Sequence, residues 1–379
     1  MSKVYFGDVV RDVKITVDRA NNPFEYYVAG DHMDTEELRI LRRGKFSEPP
    51  EPGPAFIRVF NSGQILYGSR RTYLKKIAVA DFSGVCANTT FVLETKDEKV
   101  FLQRLLPFLM YSEKFTNFSV NNSKGSTNPY ILFSDLAKFE FDLPSIVEQH
   151  KLADLLWAAN AAREAYKKLL NLTDELVKSR FVEMFGDPAT NPMGWPIKSL
   201  GDIADIFIGL TYKPSDISHN GIIVLRSGNI QNGEIILSDI VRVKTNIRER
   251  LLVQKNDILM CSRNGSAQLV GKTALISVLD ESMTFGAFMT IIRSQYNKYL
   301  LSFFRSEAFF NQITSAKTST INQITKSMLE EIFLPLPPLP LQNQFAEFVQ
   351  QSDKSKFELQ RTMDELDATY KSILRENLG

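Results

Sequence analysis

Two long stretches of the chain repeat apolar residues at spacings of three and four, the period of an amphipathic helix. Glu148–Phe185 and Leu341–Leu378 contain neither proline nor glycine, so each is predicted to form one continuous helix. At 1.5 Å per residue, such a helix spans roughly 57 Å. That length exceeds the width of a domain of about 140 residues, so folding back onto the neighbouring segment is disfavoured. A partner helix is expected along most of the stripe.

The apolar stripes define the residues expected in the seam between the two helices. On the first helix they are Leu152, Leu155, Ala159, Ala162, Tyr166, Leu169 and Leu176. On the second helix they are Phe345, Phe348, Leu359, Met363, Leu366 and Ile373. Leu156, Leu170 and Val177 widen the first stripe. Because Leu169 and Leu366 are expected to be buried, an aspartate at these positions would place a charge inside the seam.

The segments that precede the helices alternate short β-rich runs with turn signals. The β-rich runs are Ile65–Tyr67, Ala87–Leu93, Ile222–Leu225, Asp257–Cys261 and Phe288–Ile292. Asn-Gly pairs, which favour tight turns, occur at Asn220-Gly221, Asn232-Gly233 and Asn264-Gly265. One helical stretch, Val100–Phe115 or Tyr299–Ile313, comes near the end of each segment. The sequence therefore predicts two β-rich globular domains of the α/β (α+β) class.

The sequence contains an internal repeat, so this pattern of elements occurs twice along the chain. Aligned with a constant shift of 193 positions and no gap, residues 124–186 and 317–379 are identical at 15 of 63 positions. The same shift places QILYGSR (64–70) over DILMCSR (257–263), and FGDVV (6–10) resembles LGDIA (200–204). We conclude that the chain is a duplication with internal pseudo-two-fold symmetry. Two copies related in this way offer their helices to each other as an antiparallel pair.

Four prolines stand directly before the second helix, in FLPLPPLP (333–340). Proline fixes φ and lacks an N–H group, so this segment is expected to be extended and stiff. It could be a ligand for a proline-binding groove of another protein, or a joint between structural units. The first copy has one proline at the matching place, in FDLPSIVEQH (141–150). A proline at the matching place of both copies favours the joint, because a ligand for a proline-binding groove would not need a counterpart in the first copy.

Composition and charge narrow the classes of protein that fit. A chain of 379 residues with 44% hydrophobic content suits two or three domains with sizeable cores. No apolar run approaches the length of a membrane span, and the polar start MSKVYFGDVVRDVK is unlike a signal peptide. Cys86 and Cys261 lack CxxC spacing, so a reducing, cytoplasmic setting is expected. The balance of 45 basic and 44 acidic residues leaves nucleic acid open, because a local basic patch would suffice.

The sequence lacks the common motifs of catalytic, nucleotide-binding and metal sites. The three histidines, His32, His150 and His219, have neither HExxH nor HxH spacing. No GxxxxGK[ST] occurs, and no GxGxxG follows a predicted strand. We therefore expect a non-catalytic chain without a metal site or a bound cofactor.

Polar and basic residues recur instead on loops at matching places of the two copies. The residues predicted to bind DNA are Ser69, Arg70, Arg71, Lys75, Lys76, Lys124, Ser126 and Thr127 in the first copy, and Arg226, Asn229, Arg263, Asn264, Ser266, Lys272, Lys317, Ser319 and Thr320 in the second. Arg and Lys reach phosphates or guanine, Asn pairs with adenine, and Ser and Thr do either. Any one of them could equally be a solvated loop residue. Two diverged binding modules suit a ligand with two different half-sites, such as double-stranded DNA.

With these residues assembled, the chain resembles the specificity subunit of a Type I restriction–modification system. The most specific stretches are LPLPPLPLQNQFAEFVQQSDKSKFELQ, LYGSRRTYLKKIAVADFSGVCANTTFVLE, ILMCSRNGS and TFGAFMTIIR. The resemblance implies a target recognition domain at 1–143, a helical spacer at 144–187, a second recognition domain at 188–336 and a second spacer at 337–379. One departure is the segment WAANAAREAYKKLLNLTDEL of the first helix, which differs markedly from its counterpart.

The resemblance also implies a function and partners. Each recognition domain would read one half of a bipartite, asymmetric DNA site, and the helices would set the spacer and dock two methyltransferase subunits, with restriction subunits outside these. S-adenosylmethionine would belong to the methyltransferase subunits. Two alternatives remain: a coiled-coil adaptor that binds proteins and no DNA, and a stand-alone methyltransferase, which the missing motifs disfavour.

Overall fold

The computed structural model describes residues 2–316 and 322–379. The chain divides into two compact units. Unit 1 contains the residues up to Lys168 together with Leu359–Gly379, and unit 2 contains Leu169–Glu358. Each unit thus combines one globular domain with a part of each long helix. We call these globular parts domain 1 (residues 2–143) and domain 2 (residues 188–336).

Domain 1 contains two four-stranded sheets. Strands Val10–Asp12, Thr90–Thr95, Ile65–Gly68 and Ile77–Val79 form the first sheet in that order, with antiparallel neighbours throughout. Strands Gly44–Lys45, Tyr26–Val28, Gly84–Ala87 and Phe56–Phe60 form the second, in which the two middle strands are parallel. A separate antiparallel pair joins Ser2–Tyr5 to Glu140–Leu143. The helices are Phe6–Val9, Leu106–Tyr111, Glu113–Asn121 and Phe133–Leu136, with 3₁₀ turns at Arg19–Asn21 and Thr72–Leu74.

Domain 2 repeats this plan with a smaller second sheet. Strands Asp205–Ile208, Met289–Arg293, Ile258–Cys261 and Thr273–Leu275 form an antiparallel four-stranded sheet. Strands Val241–Val243, Ile217–Leu225 and Met283–Phe285 form the second sheet, with the last pair parallel. Two-stranded pairs join Ile197–Ser199 to Phe333–Pro335 and Ile230–Gln231 to Glu234–Ile235. The helices are Leu200–Ile203, Asn297–Phe303, Glu307–Ala316 and Lys326–Glu330, with 3₁₀ turns at Pro214–Asp216, Ser227–Asn229, Glu249–Leu251 and Ala267–Leu269.

One sheet in each domain contains the strand Ile65–Gly68, here called the ILY strand, or its counterpart Ile258–Cys261, the ILM strand. One face of this sheet packs against helices (the helical core), and the other face packs against the second sheet of the domain (the inter-sheet core). In domain 1 the alternation is visible in one strand, since Ile65 and Tyr67 lie in the helical core and Leu66 in the inter-sheet core. Cys86 and Cys261 lie in the two inter-sheet cores. Burial raises the pKa of the Cys86 thiol to about 12 and also raises that of Cys261. Both cysteines therefore pack as small apolar side chains.

Three predicted elements differ from the observed ones, and one of them is the helix Tyr299–Ile313, which is replaced by Asn297–Phe303 and Glu307–Ala316. The predicted helix Val100–Phe115 is replaced by Leu106–Tyr111 and Glu113–Asn121. The break falls at Ser112, whose hydroxyl accepts a hydrogen bond from the Phe115 amide at 3.3 Å and so begins a new helix. The predicted run Ala87–Leu93 is likewise two strands in different sheets. Hydrophobicity alone does not reveal such interruptions.

The long helices run from Ile146 to Phe185 and from Leu339 to Asn377. Ahead of the second helix, Phe333–Pro335 forms a strand, so the proline segment connects a sheet to a helix. The side-chain amide of Gln342 donates to the Pro337 carbonyl at 2.7 Å, and that of Gln149 donates to the Pro144 carbonyl at 2.9 Å. The shift of 193 positions converts one bond into the other, so both joints are built alike. In the described part of the chain, no helix is long and apolar enough to cross a membrane.

The two long helices are antiparallel within each unit. In unit 1, Arg163 pairs with Asp367, while the earlier residue Leu156 lies in one core with the later residue Leu374. In unit 2, the ring of Phe345 lies 5.6 Å from that of Phe181 and 5.3 Å from that of Phe185. The antiparallel pairing expected from the duplication is thereby confirmed.

The predicted seam is only partly correct. Leu152 and Phe345 are buried, and half-buried positions are Ala159, Ala162, Tyr166, Phe348, Leu359, Met363, Leu366 and Ile373. By contrast, Leu155, Leu169 and Leu176 are 51%, 46% and 54% exposed. Their placement in the seam was wrong, and so was the expectation that an aspartate at position 169 would be buried.

Two buried polar residues belong to the seam and were missing from the predicted stripe. The buried line of the first helix continues from Leu156 through Asn160 and Arg163. Arg163 is accommodated because it pairs with Asp367 and its guanidinium lies 4.8 Å above the ring of Tyr370. Asn160 donates to Glu164 at 2.8 Å. Because Asn and Arg are polar, the apolar period leaves both residues out of the predicted stripe, although they lie on the buried side of the helix.

The seam ion pairs repeat with the duplication. Arg163 pairs with Asp367 in unit 1, and Lys356 pairs with Asp174 at 2.7 Å in unit 2. Adding 193 to position 163 gives 356, and adding 193 to 174 gives 367. Each copy thus supplies the cation of one pair and the anion of the other.

Candidate nucleic-acid interface

In domain 1 the structure brings together the two basic loops that sequence analysis singled out. Arg70 and Lys124 both form antiparallel bridges with Tyr130. The Arg71 amide donates to the Pro129 carbonyl at 2.7 Å, and the Ile131 amide donates to the Ser69 carbonyl at 2.9 Å. The loop after the ILY strand therefore lies beside the loop that precedes the first joint.

Domain 2 repeats this juxtaposition at the same shift of 193 positions. Arg263 forms an antiparallel bridge with Gln323, and the Ile324 amide donates to the Ser262 carbonyl at 2.7 Å. These are the counterparts of the Arg70–Tyr130 bridge and the Ile131–Ser69 bond. Lys317, Ser319 and Thr320 lie outside the described residues. The two domains thus present an equivalent arginine on an equivalent pair of loops.

Several predicted side chains are exposed and available to a ligand. These are Arg70, Arg71, Ser126, Thr127, Arg263, Ser266 and Lys272. Among the residues that the structure describes, the four cations of this group have no acidic partner. An exposed cation without a carboxylate keeps its full attraction for phosphate or a guanine edge.

Other predicted contacts are bonded within the protein. Lys75 pairs with Glu36 at 3.1 Å, Lys76 donates to the Gly30 carbonyl, and Arg226 pairs with Asp239 at 2.9 Å. Lys124 is exposed but pairs with Asp135 at 2.9 Å, and that carboxylate raises the pKa of the Lys124 ammonium. The carboxyl of Asp135 in turn has its pKa lowered by Lys124 and Lys138. The charges of Lys75, Lys124 and Arg226 are therefore partly neutralised by carboxylates, whereas Lys76 is bonded to an uncharged carbonyl oxygen.

Three polar residues hold loops instead of facing a ligand. Ser69 is buried and donates to the Thr89 carbonyl at 2.5 Å. Asn229 is 1% exposed, and its side chain bonds to the backbone of Arg226, Ile236 and Asp239. Asn264 donates to the Ser227 hydroxyl at 3.2 Å and accepts from the Ser266 amide at 3.0 Å. The assignment of Ser69 and Asn229 as DNA-binding was wrong, because short polar side chains commonly satisfy backbone groups in turns.

Exposed aromatic and amide side chains beside the arginines escaped sequence analysis. Tyr130 and Phe288 are exposed, and Gln323 is half-buried. The guanidinium of Arg263 lies 5.3 Å from the ring centroid of Phe288. An aromatic residue type does not by itself indicate a DNA contact, and Phe288 falls within the predicted β-rich run Phe288–Ile292. Its position directly after Gly286-Ala287 was the one available turn signal.

No metal site accompanies this surface. Within residues 2–316 and 322–379, no group of three or more His, Cys, Asp or Glu side chains could hold a metal ion. What remains is a pair of matched, basic, loop-built surfaces.

Comparison with known proteins gives a family match over most of the chain. The model of the Type I restriction modification DNA specificity domain matches residues 57–171 and 192–366. The EcoKI specificity subunit of Escherichia coli K12, a Type I restriction enzyme subunit, is 30% identical over 165 residues. That match covers 41% of this chain and 35% of the relative, so the chain spans about a third of that relative's length.

Solved structures show the same fold. A chain from a study of complex assembly and conformational transition of the type I R-M system aligns with a TM-score of 0.58 and 20% identity, covering 100% of this chain and 97% of that one. The S subunit of a Type-I restriction-modification system from M. genitalium aligns with a TM-score of 0.58 and 13% identity, covering 100% and 95%.

Proposed function

Because the chain belongs to the family of the Type I restriction modification DNA specificity domain, we propose that it is the DNA sequence-recognition subunit of a Type I restriction–modification complex. Domain 1 reads one half of a bipartite, asymmetric site and domain 2 reads the other half. The observation that carries this proposal is the pair of equivalent exposed arginines, Arg70 and Arg263, on equivalent loops of two otherwise diverged domains.

The chemistry of these surfaces fits DNA. Arginine is the side chain best suited to paired hydrogen bonds with O6 and N7 of guanine, and neighbouring Lys and Ser side chains suit phosphate oxygens. The balanced total charge is compatible with this role, because a local group of basic side chains without acidic partners is enough to attract phosphate.

A selection from a randomised duplex library tests the function. The full chain, together with its methyltransferase subunit, should enrich a site made of two different short sequences separated by a fixed spacer. Binding should weaken steeply with salt, since phosphate contacts release counterions. Failure to enrich any sequence, with binding independent of salt, would favour the coiled-coil adaptor instead.

Alanine at each arginine should affect one half-site only. Arg70→Ala is expected to reduce base preference in the half read by domain 1, and Arg263→Ala in the half read by domain 2. A base-contacting arginine contributes roughly 1–3 kcal/mol of discrimination. The two variants serve as controls for each other in the same selection. Loss of both half-sites from one substitution would indicate misfolding and contradict the assignment.

We propose that the first long helix docks a methyltransferase subunit through its exposed leucines. In unit 2, Leu169, Leu172 and Leu176 are each about half exposed and follow one another at spacings of three and four. Such a row is normally covered by another helix. That the helices also set the spacer between the half-sites stays a prediction.

Leu172→Asp should therefore weaken assembly without unfolding the chain. Co-purification with the methyltransferase subunit should fall at least about tenfold, as expected when a charge enters an apolar contact. Asn171→Asp adds the same charge at the exposed neighbouring position and should assemble normally. Equal capture by both variants would place the docking surface elsewhere.

Catalysis is assigned to partners in this proposal. The chain itself is non-catalytic, and S-adenosylmethionine binds to the methyltransferase subunits. The restriction subunits join through the same complex.

A further inference from the structure

The turn that carries Phe288 is rigidly held in domain 2. The Met289 amide donates to the Gly286 carbonyl at 2.8 Å, which closes the turn. On one side the Leu210 amide donates to the Phe285 carbonyl at 2.7 Å, and on the other the Gly286 amide donates to the Leu225 carbonyl at 3.0 Å. A Cβ at Gly209 would overlap the carbonyl oxygens of Phe285 and Gly286, so only glycine allows this close approach.

The same turn fixes the backbone of Arg263, the arginine proposed to contact DNA in domain 2. The carbonyl of Phe288 accepts hydrogen bonds from the amides of Ser262 at 2.9 Å and Arg263 at 3.1 Å. On the other flank, Arg263 bridges to Gln323. The backbone of Arg263 is therefore held from both sides, which leaves only its side chain free to move.

The ring of Phe288 restrains that side chain. The Arg263 guanidinium lies 5.3 Å from the ring centroid, within the range of a cation–π contact. Yet the Phe288 residue is 57% exposed. Single exposed apolar side chains are common, but this ring lies beside an arginine that has no acidic partner in the described part of the chain. If Phe288 were only a packing residue, its ring would be buried. If the charge of Arg263 were to be neutralised within the protein, a carboxylate would lie beside it.

We propose that Phe288 is a positioning residue for base reading by domain 2, holding the guanidinium of Arg263 so that its paired N–H groups meet O6 and N7 of one guanine in the major groove. The inference rests on the proposed function. It adds that the base contacted by Arg263 is guanine and that Phe288 orients the Arg263 side chain. Holding a long side chain in one orientation before binding reduces the rotamer entropy lost on binding. Arginine suits this arrangement because its planar group stacks on a ring while its edge stays free to donate.

Domain 1 lacks the equivalent support. There the Ser69 amide donates to the carbonyl of Thr89 at 3.2 Å, so a threonine occupies the place that Phe288 has in domain 2. The requirement for an aromatic ring is therefore specific to one half-site.

The test is a selection from a randomised duplex library with the full chain assembled with its methyltransferase subunit. The wild type should require guanine at one position of the half-site that Arg263→Ala disturbs. Arg263→Ala should reduce the preference for that guanine roughly 5- to 150-fold. Phe288→Ala should reduce it roughly 2- to 5-fold, as for loss of an exposed cation–π contact. Phe288→Trp should restore it, because tryptophan is the best cation–π partner.

Phe333→Ala is the matched control. Phe333 is also 57% exposed and lies in domain 2, on the strand before the second helix, with no arginine over its ring among the described residues. It should leave every base preference unchanged, and all variants should keep the wild-type melting temperature. Unchanged guanine preference in Phe288→Ala, or an equal loss of affinity for all sequences, would overturn the inference while leaving the proposed function intact. A wild type that selects no bipartite site would overturn both.

Discussion

Leu156→Asp is expected to unfold unit 1 at temperatures where the wild type is stable. Leu156 is fully buried in the core that also contains Leu374 of the second long helix and Leu378, which directly follows that helix. The substitution removes the packing of a leucine and buries a polar group, for a combined loss of roughly 3–6 kcal/mol. For a unit of this size, that corresponds to a fall of roughly 6–24 °C in melting temperature. Thermal unfolding of the full chain by circular dichroism measures it.

Leu155→Asp is the control for this substitution. It changes the same residue type to the same charge one position away, where the side chain is 51% exposed. Its effect should stay within about 0.5 kcal/mol, as for most surface substitutions. The comparison tests which of two adjacent leucines of the predicted stripe faces the seam, because the structure buries Leu156 and exposes Leu155. A larger loss from position 155 than from 156 would mean that the helix is turned the other way.

Replacing domain 1 by the corresponding domain of another family member is expected to exchange one half of the recognised site. Domain 1 closes on itself, since Ser2–Tyr5 pairs with Glu140–Leu143 just before the first long helix begins at Ile146. A junction after Leu143 therefore preserves the strand pair. Because each mismatched base pair costs about 1–3 kcal/mol, a wholly foreign half-site of three or more base pairs should lose binding by orders of magnitude.

Selection from the same randomised library would follow the exchange. The half read by domain 2 should remain unchanged, and an exchange of residues 188–336 should produce the complementary result. The melting temperature must be checked alongside, because the incoming domain has to pack against Leu152 and Leu156. New preferences in both halves from a single exchange would contradict the assignment of one half-site to each domain.

The duplication could be predicted from the sequence because a constant shift relates short blocks that contact each other. That shift matches the two Ser-Arg pairs, and in each domain the serine of the pair bonds to a residue of the segment ahead of the joint, as the Ile131–Ser69 and Ile324–Ser262 bonds show. Contacts within a repeat persist when the surrounding sequence changes, so they remain visible as identities. The fold class and the antiparallel helices followed from the same signal.

Side-chain orientation could not be predicted in the same way. Asn229 has the residue type of a base contact, yet it satisfies three backbone groups of its own turn. Arg163 has the residue type of a surface cation, yet it lies in the seam opposite Asp367. Phe288 has the residue type of a core position, yet its ring faces solvent beside Arg263. Each outcome depends on a partner distant in sequence, which no local pattern records.

The crossed ion pairs of the seam constrain how such a gene can evolve. Position 163 pairs with 367 and position 174 pairs with 356. The residues that each long helix can accept at these positions therefore depend on residues of the other copy. A substitution at one of these sites favours a compensating substitution about 200 codons away. The bonds described above for each Ser-Arg loop lie within its own domain, so substitutions around that loop call for no compensating change in the other copy. Divergence should therefore accumulate in the globular domains, while the helices change slowly and in correlated pairs.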